Sequence, residues 1–270
     1  MQPTAPTATC AEADGSDLAA VFRAQGFVIV RDVFTAGEVA VMSAAFDDLV
    51  HTARSLPADG LTKAMHQGSQ FVVEHDPALT GGTRIHRVVW CGAAAPPLLA
   101  LGGDARLVDL ACDLMGVDAV DQLINQAHFK QPGDRITFPW HQDSVHRRYG
   151  TPLWTDVTGE GSFVEIATAV DLMAHDNGPL QIVPRSHVQG HRAQAPGVKH
   201  VTLTPEEEAR AVSVHLRPGD VVAFGPYVVH GSGTNHSPRW RRLFLNGFAA
   251  PGANRRDYPG DGSGRRLLRT

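Results

Sequence analysis

Cysteine is scarce in this 270-residue chain. Cys10, Cys91 and Cys112 are odd in number, far apart and never spaced as a CxxC pair, which argues against a disulfide framework and a structural zinc site. Long apolar runs are missing as well. The stretch from Cys91 to Leu101 is broken by Gly92 and by Pro96–Pro97, so no membrane span is expected. The first fifteen residues have neither a basic n-region nor an apolar h-region, so no secretory signal is expected. Positive charge is not in excess: 24 Lys and Arg against 28 Asp and Glu leave a net charge of −4, which speaks against a nucleic-acid binder. With 43% hydrophobic and 19% charged residues, wholesale disorder, coiled coil and collagen are excluded. The expectation is a cytoplasmic protein with neither nucleic acid nor membrane as partner; these features leave its oligomeric state open.

What the chain does have is turn formers, 27 glycines and 18 prolines, and many turns imply many short strands. Residues 1–15, rich in Pro, Thr and Ala, read as a disordered N-terminus, residues 16–255 as one domain, and residues 256–270 as a tail. A short helix is expected from Asp17 to Gln25, capped near Ser16 and closed by Gly26, then a strand at Phe27–Val30. Thr35 and Glu38 form a capping box that opens a helix through about Ala53, with Val39, Met42, Phe46 and Leu49 on one face. A second helical region spans Leu98 to Met115 and ends at Gly116. From about Asp121 the pattern turns to short β-rich runs: Leu123–Lys130, Phe163–Val170, Leu180–Val183, Val212–Leu216, Val221–Val229 and Leu243–Phe248. Together these predict a mostly β protein with a jelly-roll (double-stranded β-helix, cupin-like) core and flanking N-terminal helices. Arg265, Arg266 and Arg269 in the tail read as a solvated end.

The most informative stretch is Pro139-Trp140-His141-Gln142-Asp143. On a strand, positions i and i+2 share a face, so His141 and Asp143 can meet one metal ion. An imidazole and a carboxylate, joined by a second His, make the facial triad of non-haem Fe(II) oxygenases. The candidate second His is His230, at the end of the apolar run Val221–Val229. Eleven residues on comes Arg241, and a hairpin of that length would set His230 and Arg241 on neighbouring strands. Arg241 would then grip a carboxylate bidentately near the metal. Alone, a histidine here is an ordinary core or turn residue and an arginine an ordinary surface cation. Their joint occurrence in this order is what points to a metal site.

The series His141-x-Asp143, His230-Gly231-Ser232-Gly233-x-Asn235 and Arg241 resembles the phytanoyl-CoA dioxygenase family of Fe(II)- and 2-oxoglutarate-dependent oxygenases. Asn177-Gly178-Pro179-Leu180 followed by Pro184-Arg185-Ser186-His187 resembles the family's NGPL…PGSH segment, with Arg185 where Gly is usual. Lys130-Gln131-Pro132-Gly133 resembles its K-x-PG turn. The resemblance covers roughly Gly26 to Ala249. It implies that His141, Asp143 and His230 bind Fe(II) and that Arg241, helped by the Ser232 hydroxyl, pairs with the distal carboxylate of 2-oxoglutarate. With O2 as oxidant, 2-oxoglutarate would leave as succinate and CO2. Related iron halogenases carry Gly or Ala where Asp143 stands, so hydroxylation or another oxidation, rather than halogenation, is implied.

Gln126, His128 and Lys130 alternate along one face of a strand and are placed near the cosubstrate or substrate, with outward-facing polar residues as the alternative. His187 is expected to fix a loop. The segment Ser144–Gly161, with His146, Arg147, Arg148 and Trp154, would serve as a lid or substrate wall, or simply as a solvated loop. Its arginines suit an anion, whereas Glu165, if it faces inward rather than to solvent, suits a cation. Gln67, Gln70, Arg84 and His86 are candidates for the pocket entrance. The favoured substrate is a small natural-product or amino-acid-like metabolite. The alternatives are an acyl-CoA, a cupin-like metalloenzyme that does not use 2-oxoglutarate, and a non-catalytic binding jelly roll.

Overall fold

The computed structural model describes residues 18–57, 59–75, 82–133, 135–192 and 197–270. The expected disordered segment 1–15, the Ser16 cap and Cys10 lie outside them. In chain order the elements are α1 (Leu18–Gln25), β1 (Phe27–Val30), α2 (Ala36–Ser55), β2 (Gly60–His66), β3 (Ser69–His75), β4 (Thr83–Val89), α3 (Cys91–Ala94), α4 (Pro96–Gly102) and α5 (Ala105–Met115). There follow β5 (Ala119–Lys130), β6 (Phe138–His141), α6 (Asp143–His146), β7 (Phe163–Ala169), β8 (Leu180–Ile182), α7 (Pro205–Arg210), β9 (Val212–Ser213), β10 (Val221–Phe224), β11 (His230–Ser232), β12 (Arg241–Ala249) and β13 (Arg265–Leu268).

A long antiparallel sheet runs β1-β10-β7-β12-β5-β4-β3-β2, and a short one runs β6-β11-β8-β9. The two face each other as the expected jelly roll. Alternation along the strands decides which side chain serves which layer. Val164, Ile166, Val221, Ala223, Phe244 and Phe248 point to the helices, while Ala167, Ala169, Val222, Phe224 and Leu243 face Leu180, Ile182 and Val214 on the short-sheet side. That is why β7 is buried at every position. The α2 capping box forms as expected, with Thr35 Oγ1 accepting from Glu38 N and Glu38 Oε2 accepting from Thr35 N. The helix carries Met42, Phe46 and Leu49 into the core, and the Phe46 ring meets Phe129 at 5.1 Å and Phe244 edge-on at 6.5 Å. Each such burial stabilises by roughly 1.5–3 kcal/mol. Cys91 and Cys112 are free and buried. Among the described residues, no helix is long and apolar enough to cross a membrane.

Four expectations give way. The helix expected over Leu98–Met115 is two helices, because Asp104 breaks out after Gly103 and its carboxylate accepts from Arg106 N as a fresh N-cap. Strands β2, β3 and β4, in a stretch read only as a pocket entrance, extend the long sheet by three. The run Val221–Val229 divides. It pairs with β7 and β1 only as far as Phe224, then passes Pro226, which cannot donate, and resumes as β11 in the other sheet. Finally, the supposed solvated tail contains β13, which pairs with residues 119–122 of β5. Arg265 donates to Gln122 Oε1 and Leu99 O, and Arg266 and Arg269 pair with Asp121 and Asp113.

Candidate metal centre and substrate cavity

His141 and His230 sit opposite each other in register on β6 and β11, their ring centroids 4.2 Å apart. Asp143 does not continue the strand as expected. β6 ends at His141 and Asp143 opens α6, whose first turn is closed by Arg147 N donating to Asp143 O. Between them Gln142 is fully buried and turned away, its amide donating to Gly190 O and Tyr227 O. The ligand atoms of His141, Asp143 and His230 lie within 4.8 Å of one another.

The Nδ1 atoms face backbone carbonyls, His141 with Pro139 O at 2.7 Å and His230 with Val228 O at 3.0 Å. A carbonyl only accepts, so both Nδ1 atoms carry the proton and both Nε2 lone pairs remain for a ligand. Burial, and then the neighbouring His141, push His230 down to about 4, so its imidazole is neutral at physiological pH. Burial alone would raise Asp143, but His230, Arg147, His141 and His146 outweigh it and hold the carboxyl down at about 2. The neutral His230 imidazole, the His141 imidazole with its Nδ1 likewise held by a carbonyl, and an ionised carboxylate, already converged, are a donor set that fits iron(II).

The three residues line a cavity of about 650 Å³ together with Ser232 and Arg241. Here the hairpin expectation fails. His230 belongs to the short sheet and Arg241 begins β12 in the long one, so they face each other across the cavity instead of pairing as neighbours. The connection between them crosses the sheets, pinned where the buried Asn235 amide donates to Lys130 O and Arg239 O. Arg241 is 3% exposed and one Nη donates to Gly178 O at 3.1 Å. Gly178 has φ +67°, and a Cβ there would come within 2.5 Å of Gly233 O, which gives the Asn-Gly-Pro-Leu segment a physical task in seating Arg241. Arg185 adopts φ 64°, a left-handed conformation that explains why Gly would be usual there.

Lys130 does not line the cavity. Its fully buried ammonium donates to Ser232 Oγ at 2.8 Å and to Gly233 O, supporting the serine from behind. Gln126 and His128 do line it and pair with each other at 2.9 Å; burial, then Arg87 and Arg241, drive His128 well below its usual range. Glu165 faces inward, 2% exposed, and meets Arg147 at 3.2 Å. Burial, then Asp143, pushes the Glu165 carboxyl above its usual range against the pull of Arg147. Trp154 is a correction: it stacks on Tyr149 at 4.8 Å and donates to Gly161 O, in an apolar cluster off the cavity. His187 fixes a loop as expected, its Nε2 2.9 Å from Arg23 O. At the entrance, Gln70 lines the cavity, but Arg84 and His86 turn to Glu74 and it is Arg87 that faces in. Arg256 and Tyr258, which also line the cavity, went unrecognised because they fall in the supposed tail.

Comparison with known proteins adds the following. The family described as "Phytanoyl-CoA dioxygenase (PhyH)" matches residues 22–243. The ectoine dioxygenase of Sphingopyxis alaskensis is 26% identical over 246 residues, spanning 82% of this chain and 71% of that protein. The L-proline trans-4-hydroxylase of Streptomyces griseoviridis is 29% identical over 165 residues, spanning 52% of this chain and 58% of that protein. Among solved structures, EctD from S. alaskensis with bound Fe superposes with a TM-score of 0.67 at 25% identity, covering 95% of this chain and 83% of that one.

Proposed function

We infer the role of the cavity from the family to which the chain belongs, the phytanoyl-CoA dioxygenases, and so from its being an iron- and 2-oxoglutarate-dependent dioxygenase that uses O2. We propose that His141, Asp143 and His230 hold the iron, that Arg241 and Ser232 bind the distal carboxylate of 2-oxoglutarate, and that the reaction hydroxylates a small metabolite. The observation that carries this reading is the convergence of three ligand atoms within 4.8 Å on the wall of a 650 Å³ cavity that also holds Arg241. When bound, the iron supplies the O2-dependent oxidation that is coupled to breakdown of 2-oxoglutarate into succinate and CO2.

The chain's own residues supply the rest. Carbonyl acceptors at Pro139 and Val228 fix the two imidazole orientations, leaving Nε2 as the ligating nitrogen of each. The Arg241 guanidinium, held by Gly178 O, offers a planar fork to a carboxylate, and Lys130 turns the Ser232 hydroxyl by occupying one of its acceptor positions. Apolar surface from Phe224, Leu243 and Leu245 lines the same space and limits water. The relatives that act on ectoine and on proline by name support a small metabolite over a larger substrate. The test is a screen of small metabolites for succinate release and O2 uptake. Turnover that requires both iron and 2-oxoglutarate is expected, and substrate oxidation indifferent to 2-oxoglutarate would overturn the proposal.

A further inference from the structure

Beside Asp143 lies a charged cluster that the metal and cosubstrate sites do not use. The Tyr258 ring sits between two guanidiniums, with Arg147 Cζ 5.6 Å and Arg256 Cζ 5.1 Å from its centroid. Arg147 also lies 4.6 Å over the Phe163 ring and pairs with Glu165 at 3.2 Å. Arg256 donates to His146 O, and among the described residues no carboxylate pairs with it. The cluster is remote from the place given to 2-oxoglutarate. Glu165 pairs in register with Gly247, six residues along β12 from Arg241, which is about 20 Å of strand.

Three buried atoms in this cluster make no geometric hydrogen bond: Glu165 Oε1, Arg147 Nε and the Tyr258 hydroxyl, whose oxygen has the Arg147 guanidinium beside it but whose proton finds no acceptor. All three residues line the cavity. Buried polar atoms are nearly always paired, and a buried ion pair adds little to stability over apolar packing, so neither feature is explained by the fold. One orphan is the oxygen of a carboxyl that a neighbouring cation would hold ionised, and two are donors, side by side. A simple anion would meet Glu165, and a simple cation would meet two guanidiniums. A neutral amide would satisfy the hydrogen bonds but leave the second guanidinium uncompensated. A compact group carrying both charges satisfies all of them.

Resting on the reading of the cavity as the active site, we propose that Arg147, Glu165, Tyr258 and Arg256 form the substrate-recognition subsite and select a zwitterionic, amino-acid-like metabolite. Its cationic nitrogen donates to Glu165 Oε1. Its carboxylate accepts from Arg147 Nε–H and the Tyr258 hydroxyl in the field of Arg256.

The test is calorimetric titration of the metal-free protein with the proteinogenic L-amino acids and ectoine, then with the N-acetyl and carboxamide derivatives of each binder. Succinate release by the iron-loaded enzyme is measured in parallel. At least one zwitterion should bind, and removing either charge should weaken it roughly 30-fold or more. Tyr258→Phe removes only a hydroxyl, whose polar neighbour is the Arg147 guanidinium. It should leave the melting temperature of the free protein unchanged, raise the substrate KM about tenfold and leave the 2-oxoglutarate KM as it was. Glu165→Gln should abolish the preference for the charged nitrogen. Equal binding of a neutralised derivative, or wild-type affinity in Tyr258→Phe, would overturn the inference. So would an iron–2-oxoglutarate absorption band in a protein that binds no zwitterion, and in that case the active-site reading would stand. A zwitterion that binds but never stimulates succinate release would support the subsite and count against the active-site reading instead.

Discussion

On the helix side of the long sheet, Phe129, Val164, Ile166, Phe244 and Phe248 join α2 and α5 in one apolar cluster; on the other side, the same strands carry Gln126, His128, Glu165 and Arg241 into a cavity. Adjacent arginines show the contrast most sharply. Arg242 turns to the helices, where it pairs with Asp171 and Asp47 and donates to Ser43, while Arg241 turns inward to the place proposed for a cosubstrate. Stability and chemistry thus alternate residue by residue along β5, β7 and β12. Substitutions one position apart should therefore separate the two.

The largest separation is expected at the proposed metal site. His141→Ala should lower substrate-dependent succinate formation by at least ~1,000-fold, about 4 kcal/mol in the barrier, while the urea midpoint of the metal-free protein barely moves. On the helix face the reverse holds. Phe46→Ala, which empties the contact with Phe129 and Phe244, should cost about 3–5 kcal/mol of stability and leave KM for 2-oxoglutarate unchanged in whatever protein remains folded.

A pH series sharpens the contrast further. Burial holds His230 at about 4 when folded, whereas the unfolded chain takes the proton near 6.5, so stability is full above pH 6.5 and falls as pH drops toward 4. Between pH 7 and pH 5 this one residue should remove about 2 kcal/mol from the metal-free protein, measured by denaturant unfolding. Bound metal should keep that slope and extend it below pH 4, because the ligated imidazole stays unprotonated while the unfolded chain still takes the proton. The smallest effect is expected behind the site: Lys130→Met withdraws the donor from Ser232 and should weaken 2-oxoglutarate binding roughly tenfold, with kcat less affected.

What was legible in the sequence follows from how local each feature is. The capping box of Thr35 and Glu38, the His141-x-Asp143 pair and the order of His230, Ser232 and Arg241 are short-range patterns that need no knowledge of the fold. The sheet to which each belongs is a long-range fact. An eight-residue connection from Gly233 to Trp240 serves a hairpin or a crossing equally well, and only the packing of Asn235 against Lys130 and Arg239 decides it. Strand β2 escaped notice because it is a half-exposed edge of low β-propensity, Gly-Leu-Thr-Lys-Ala-Met-His, and its turn at Gln67–Gly68 takes positive φ at both residues without the Asn-Gly signature. Arg256 and Tyr258 were hidden by composition. A Gly-rich basic terminus reads as solvated until β13 is seen to bind it back onto β5.

We propose above that the His141–Asp143–His230 cluster and Arg241 form one iron and 2-oxoglutarate site across the two sheets. Anaerobic titration of the metal-free protein with Fe(II) and then 2-oxoglutarate, followed by visible absorbance, tests it most directly. A weak charge-transfer band on adding 2-oxoglutarate, lost in Arg241→Leu while Fe(II) still binds, is the predicted result. Fe(II) binding with no band in the wild type, or an undiminished band in Arg241→Leu, would contradict it.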